Sequence, residues 1–202
     1  HPRFYEPVTA GRAAERRCLG LDPERATGLV LFGGEGSRAM LDIARRLDAS
    51  GLNIQLILIC GRNDALTAQL KELRTRMPKF VEGFTKEIPY YMHLADFFIG
   101  KPGPGSISEA IAMGLPVIVQ RNAWTLPQER YNTDWVRRNR VGLVVRDIRE
   151  VAKAVAKLIE PETLAGYRAN AAALANRAVF EIPEMLETIL SRSAAETEPA
   201  PR

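Results

Sequence analysis

Two hydrophobic patterns alternate along the chain. Thr27-Gly-Leu-Val-Leu-Phe32, Asn53-Ile-Gln-Leu-Ile-Leu-Ile-Cys60, Asp96–Ile99, Val117-Ile-Val-Gln120 and Leu143-Val-Val145 are nearly continuous apolar runs. Such runs lack in/out alternation and read as strands covered on both faces, as in parallel sheets. A shorter run over 79–83 supplies one more strand. Between these runs, apolar residues recur at spacings of three and four. Met40, Leu41, Ile43, Ala44 and Leu47 fall on one face of a helix over 38–47, and further helices are expected over 65–77, 88–94, 110–116, 126–138, 148–159, 163–177 and 183–191. Strands separated by helices of this length imply right-handed βαβ units. The expected fold class is therefore α/β, a doubly wound parallel, Rossmann-like sheet. Ligands bind such sheets outside the carboxyl ends of the strands, where the strand order reverses. The turns Gly33–Gly36, Gly61–Asn63, Gly83–Thr85 and Lys101–Ser108, together with segment 121–129, all fall at strand carboxyl ends.

Composition adds bounds. With 202 residues, 46% apolar and 26% charged, the chain can bury one domain's core. Residues 1–22 read as a linker and entry helix closed at Gly20, residues 23–192 as a binding domain, and 193–202 as a disordered tail without periodicity. A net charge of +4 suits phosphate ligands or an anionic membrane surface. No basic run interleaved with aromatics is present, which argues against nucleic acid. Cys18 and Cys60 read as reduced thiols, and His1 and His93 are too few for a metal constellation, so no metal is expected. No apolar run is long enough to span a bilayer and no signal peptide opens the chain. The start at His1, without Met, suggests a fragment.

The chemistry concentrates in Lys101-Pro-Gly-Pro-Gly-Ser-Ile-Ser-Glu109. Gly103 and Gly105 allow a tight turn with no Cβ against a ligand. Ser106 and Ser108 are candidate caps for the next helix, whose free N–H groups attract phosphate. Glu109, expected in its first turn, could accept hydrogen bonds from sugar hydroxyls. A plain strand-to-helix turn explains the same residues. At the first strand, Gly34-Glu-Gly-Ser-Arg-Ala39 matches the dinucleotide fingerprint G-x-G-x-x-A. The second strand ends Cys60-Gly-Arg-Asn63, which leaves NADP open and makes an NADP-dependent oxidoreductase the alternative. That reading leaves the glycines at 103 and 105 unexplained.

Phe32-Gly-Gly-Glu-Gly36, Ile59-Cys-Gly-Arg-Asn63, Val81-Glu-Gly-Phe84, Lys101–Glu109, Gly114-Leu-Pro116 and Gln128-Glu129 occur in this order. The series resembles the C-terminal half of a family 28 glycosyltransferase of the GT-B type. It is most similar to the monogalactosyldiacylglycerol synthases and the processive diacylglycerol glycosyltransferases. The resemblance implies an inverting transfer of hexose from UDP-glucose or UDP-galactose to a lipid acceptor such as diacylglycerol, with no cofactor required. By the same resemblance, Gly33, Gly34, Gly36, Gly103, Pro104, Gly105 and Ser106 lie at the diphosphate and Phe84 at the uracil. Glu109 then takes the ribose, Gln128 and Glu129 the hexose, and Arg62 and Asn63 stand behind them. The acceptor site and general base would belong to an N-terminal half outside this chain, leaving no catalytic residue here and little turnover by the chain alone. The intact enzyme would sit at the cytoplasmic face of a membrane, held by anionic lipid. A non-catalytic sugar-nucleotide-binding subunit that needs a partner chain is a further reading.

Plainer roles exist for several of these residues. Gln128 and Glu129 suit a solvated helix, Arg62 a surface ion pair and Asn63 a helix cap. Lys101 could contact phosphate or be solvated, and it stands outside the expected site. Arginines 12, 16, 17, 137, 138 and 140 could face anionic lipid or water. Two departures from the family pattern stand out: Tyr131 replaces a Gly of the galactolipid synthases, and His1 stands where an Arg is common.

Overall fold

The computed structural model describes residues 1–174 and 176–196, with the side chains of 192–196 left aside. Six strands form one parallel sheet: β1 (Ala26–Leu31), β2 (Ile54–Ile59), β3 (Lys79–Glu82), β4 (Phe97–Gly100), β5 (Val117–Gln120) and β6 (Gly142–Val145). Their order is β3-β2-β1-β4-β5-β6, so the winding reverses between β1 and β4. The helices are α1 (Arg12–Cys18), α2 (Ala39–Ala49), α3 (Asp64–Glu72), α4 (Ile88–Leu94), α5 (Pro104–Ala112), α6 (Pro127–Arg138), α7 (Val151–Leu158), α8 (Pro161–Ala173) and α9 (Ala178–Glu196). A 3-10 turn at Pro2–Phe4 precedes them.

Residues of the central strands divide by parity, because successive side chains leave opposite faces. Val30, Leu56, Leu58, Phe97, Ile99 and Ile118 pack against α2, α3 and α7. Leu29, Leu31, Ile57, Ile59, Phe98 and Val119 pack against α4, α5, α6 and α8. Both faces are dry, which accounts for the continuous apolar runs. The one polar residue inside β2, Gln55, is fully buried and satisfied: it donates to Thr27 Oγ1 (2.9 Å) and the Asp22 carbonyl (2.7 Å) and accepts from the Asp22 N–H (2.9 Å). Pairing of this kind removes the cost of a buried amide.

The amino ends of the strands are closed by one carboxylate. Asp96 accepts from Arg12 (2.8 Å), Arg16 (2.8 Å), Arg168 (2.9 Å) and the Thr27 N–H (2.8 Å). Arg16 is almost wholly buried and also donates to the Leu94 carbonyl. These contacts clamp α1 and α8 onto the sheet. Arg12 and Arg16 are therefore structural, and the expectation that they face lipid or water is corrected. Cys60 is buried at the end of β2 and Cys18 is exposed.

Several element limits differ from the sequence reading. The helix before Gly114 begins at Pro104, not at 110, because proline at the first helical position has the right φ and needs no N–H partner. Helix α3 stops at Glu72. The last helix starts at Ala178, carries Pro183 inside it and extends to Glu196, into the expected disordered tail; residues 197–202 lie outside the described ones. Along α9, Ile182, Met185, Leu186, Ile189 and Leu190 form an exposed apolar stripe. No described helix is long and apolar enough to cross a membrane.

Candidate functional site

Because every strand is parallel, the turns after β1, β2, β3, β4 and β5 emerge at one edge of the sheet. Those after β1 and β4 flank the reversal and bound a crevice. Four of the five turns carry glycine, and the structure separates glycines required by the fold from those that are not. A Cβ on Gly36 would stand 2.5 Å from the Cys60 carbonyl oxygen, and one on Gly61 would stand 2.1 Å from that of Gly34. Both have positive φ (62° each), and the Arg62 N–H donates to the Gly34 carbonyl at 2.7 Å. These glycines exist so that the β1 and β2 turns can touch. Gly34 and Gly105 have neither constraint: an added Cβ at either meets nothing within 4 Å. Open space at a glycine without positive φ is where a ligand can reach the backbone.

Gly103 caps α5 through its backbone, and no side chain caps this helix. The expectation that Ser106 or Ser108 does so is corrected: both lie inside α5, one turn too late, since Pro104 already opens it. The N–H groups of Gly105 and Ser106 in its first turn have no helical acceptor, as in every helix, and the positive dipole end faces the crevice. Lys101 lies across the same opening: a Cβ on Gly33 would be 3.5 Å from its Nζ, and one on Gly103 would be 3.6 Å from its Cε. Its ammonium thus stands between the β1 and β4 turns. The sequence reading left Lys101 out, although a lysine opening a Gly-Pro-Gly turn was the available signal.

Glu109 occupies the second turn of α5, not the first, because the helix starts early. It lines a cavity of about 320 Å³ with His1, Arg3, Phe4, Lys86 and Ile88. Burial pushes its carboxyl above the usual value. Arg3 holds this wall in place by donating to Glu87 (2.5 Å) and to the Lys86 carbonyl (3.3 Å). Phe84, on the same β3–α4 connection, is 51% exposed, and the Arg62 guanidinium lies 4.6 Å from its ring centroid. Arg62 also pairs with Glu35 at 3.6 Å. Phe84 is thus a surface aromatic stacked by a cation, where a plain core role had been the alternative.

Asn63 does what its plainer reading held: Oδ1 accepts from the Leu66 N–H (2.9 Å) and caps α3, while Nδ2 donates to the Glu35 carbonyl (3.3 Å). Glu129 reaches the crevice, its Oε1 lying 4.0 Å from where a Gly103 Cβ would stand. Gln128 is exposed beside it in the first turn of α6. Asn132, not singled out for a role, donates to the Pro102 carbonyl (2.8 Å) and ties α6 to the β4 turn. Among the described residues no group of three or more His, Cys, Asp or Glu could hold a metal ion. The crevice therefore offers backbone N–H groups, a helix dipole and Lys101 on its floor. A carboxylate pocket opens on one side and paired polar residues stand on the other, an arrangement suited to an anionic group flanked by hydroxyl-bearing ones.

Comparison with known proteins bears on the family and the fold. The model of the glycosyltransferase family 28 C-terminal domain matches residues 29–185. Among curated proteins, a probable monogalactosyldiacylglycerol synthase 2 of Oryza sativa subsp. japonica is 34% identical over 192 residues, which are 90% of this chain and 40% of that protein. Monogalactosyldiacylglycerol synthase 1 of Arabidopsis thaliana is 34% identical over 191 residues, 90% of this chain and 35% of that protein. The chain thus spans roughly two-fifths of the length of these relatives. Among solved structures, the lipopolysaccharide glycosyltransferase WaaG superposes with a TM-score of 0.67 at 20% identity, over 93% of this chain and 53% of that one. HepE of Anabaena, solved with UDP-glucose, gives 0.67 at 19% identity over 93% of this chain and 54% of its own. At these identities the structural matches concern the fold.

Proposed function

The chain belongs to glycosyltransferase family 28, matching its C-terminal domain, and on that premise we propose that it holds a UDP-hexose for inverting transfer to a lipid acceptor, diacylglycerol in the first instance. The observation that carries this reading is the meeting of unconstrained glycines, Lys101 and the α5 N-terminus in one crevice. The diphosphate lies on the N–H groups of Gly105 and Ser106, with Gly33, Gly34 and Gly103 leaving room and Pro104 setting the helix start. Lys101 neutralises it. The ribose hydroxyls donate to Glu109, the uracil lies by Phe84 under Arg62, and Gln128 and Glu129 bind the hexose. Gly36 supports the turn from behind, and Asn63 does so by capping α3.

The chemistry follows from charge development. As the anomeric carbon is attacked, the bond to the diphosphate oxygen breaks and negative charge grows on the departing UDP. Fixed N–H dipoles and a lysine aimed at that position stabilise the transition state more than the ground state. The acceptor hydroxyl must lose a proton, and the group that takes it is assigned to the remainder of the protein, as is the acceptor site. The intact enzyme then works peripherally at the cytoplasmic face of a membrane, with glucose or galactose as the hexose.

Calorimetric titration with UDP and with NADPH tests the reading. UDP should bind and NADPH should not. Glu109→Ala should weaken UDP about tenfold or more, since a hydrogen-bonded charged group contributes roughly 1.5–3 kcal/mol. Ribose hydroxyls need the ionised carboxylate, so UDP affinity should fall as pH drops through the raised Glu109 value. Binding of NADPH alone would overturn the proposal in favour of the oxidoreductase alternative.

A further inference from the structure

We propose that the amino edge of the sheet, opposite the donor crevice, carries an anion site that takes phosphate between Arg12 of α1 and Arg168 of α8. Three guanidinium groups meet one carboxylate there. Asp96 Oδ1 accepts from Arg12 (2.8 Å) and Arg168 (2.9 Å), and Oδ2 accepts from Arg16 (2.8 Å) and the Thr27 N–H (2.8 Å). An ionised carboxylate offers about four lone-pair positions, and here all are taken. A cavity of about 440 Å³ opens on the cluster, lined in part by Arg12, Arg16, Glu24, Asp96 and Leu164. Arg168 follows Leu164 by one turn of α8. Positive charge stays in excess even with Glu24, exposed on the rim, counted against it.

The two outer arginines are only half used. Among the described residues, Arg12 donates through Nη2 alone, to Asp96 and the Ala95 carbonyl, and Arg168 through Nη2 alone, to Asp96 Oδ1 and the Asp96 carbonyl (3.3 Å). Arg12 Nε is buried with no acceptor among them. Arg16 differs: its Nε, Nη1 and Nη2 all donate, to Leu94, Pro23 and Asp96. A buried donor without a partner costs free energy that a ligand oxygen recovers. Like charges add to that cost. Burial, together with Arg16 and Arg168, pulls the Arg12 guanidinium below its usual value despite Asp96. Phosphate answers both deficits: it accepts from two guanidinium edges at once, and its charge offsets the surplus. The side chains of Arg12 and Arg168 are 35% and 38% exposed, so their open edges can be reached from solvent. Arg16, at 4%, stays behind them as structure. Occupancy bridges α1 to α8 across Asp96.

The inference does not rest on the donor reading, and UDP titration of Arg168→Gln should match the parent. Its own test is differential scanning calorimetry in phosphate against chloride at matched ionic strength. Five heavy atoms held by two arginines give a Kd on the order of 1 mM, so about 100 mM phosphate should raise Tm by roughly 5–11 °C over chloride. Arg168→Gln removes one charged donor edge, which weakens binding about tenfold or more and should cut the shift to about half or less. Arg45→Gln removes an exposed charge elsewhere and should leave the shift unchanged. The general salting effect of phosphate acts on every variant alike. Phosphate can also enter the donor crevice, so the series includes Lys101→Ala, in which the shift should persist. Should Arg168→Gln fail to fold, Arg168→Lys keeps the charge without the fork and must show the loss instead. No shift in the parent, an equal shift in the Arg168 variant, or a shift abolished by Lys101→Ala and kept without Arg168 would each overturn the proposal.

Discussion

Gly105→Ala should strengthen the fold while damaging the site, and the two effects can be measured on one sample. Gly105 is the second residue of α5, and a Cβ there meets no atom within 4 Å. Alanine in place of glycine in a helix contributes about 0.5–1 kcal/mol. In a chain of about 200 residues that raises Tm by roughly 1–4 °C. The same methyl would project into the space assigned to the diphosphate and push it off the helix N–H groups. A hydrogen bond to a charged group contributes about 1.5–3 kcal/mol, so the Kd for UDP should rise about tenfold to a hundredfold. Gly36→Ala is the counterpart. Its Cβ would sit 2.5 Å from the Cys60 carbonyl oxygen at a φ of 62°, so Tm should fall. The left-handed backbone alone costs a non-glycine about 1–2 kcal/mol. Differential scanning calorimetry with and without UDP, followed by titration calorimetry, reads both quantities. A stabilised Gly105→Ala protein that binds UDP as tightly as the parent would refute the placement of the diphosphate on α5.

Two further outcomes follow from charges. Lys101→Ala should weaken UDP about fivefold at low salt while leaving uridine binding unchanged, because an ion pair near water contributes about 1 kcal/mol; the difference should shrink as salt is added. Asp96→Ala should cost about 3–5 kcal/mol, since it strands the buried Arg16 guanidinium, and denaturant unfolding would read the loss. Burial raises the Asp96 carboxyl, but Arg12, the Thr27 N–H and Arg16 outweigh it and hold the group below its ordinary value. Its contribution is therefore complete above the unfolded value, about pH 4, and is lost as pH falls through the lowered folded one. The parent should lose stability in acid there, and the Asp96→Ala protein should lack that part of the slope.

Legibility in the sequence followed the range of the interactions. The runs at 54–59 and 117–120 announced strands because burial on both faces leaves no polar alternation to obscure them. The start of α5 was missed because Gly103-Pro104-Gly105 carries no hydrophobic periodicity and reads as a turn. Its helical character comes from the fixed φ of Pro104 and from Ile107 packing into the core beneath. That single shift moved Glu109 into the second turn and displaced Ser106 and Ser108 from capping. Arg12 and Arg16 could not be told from surface arginines, since their partner Asp96 is about eighty residues away.

The sequence alone determined the alternation of strand and helix, the family and the turns that carry the proposed site. Each of these is written in residues adjacent along the chain, where periodicity and glycine placement act locally. Tertiary structure alone decided which glycines serve the fold and which face open space. Gly36 and Gly34 are indistinguishable within their motif, and only the approach of the β2 turn, with the Cys60 carbonyl 2.5 Å from a Gly36 Cβ, makes one obligatory and leaves the other free. It also decided that Lys101 lies between two turns far apart in sequence, and that Asp96 gathers Arg12, Arg16 and Arg168. Those are matters of what long-range packing brings close and what it leaves exposed.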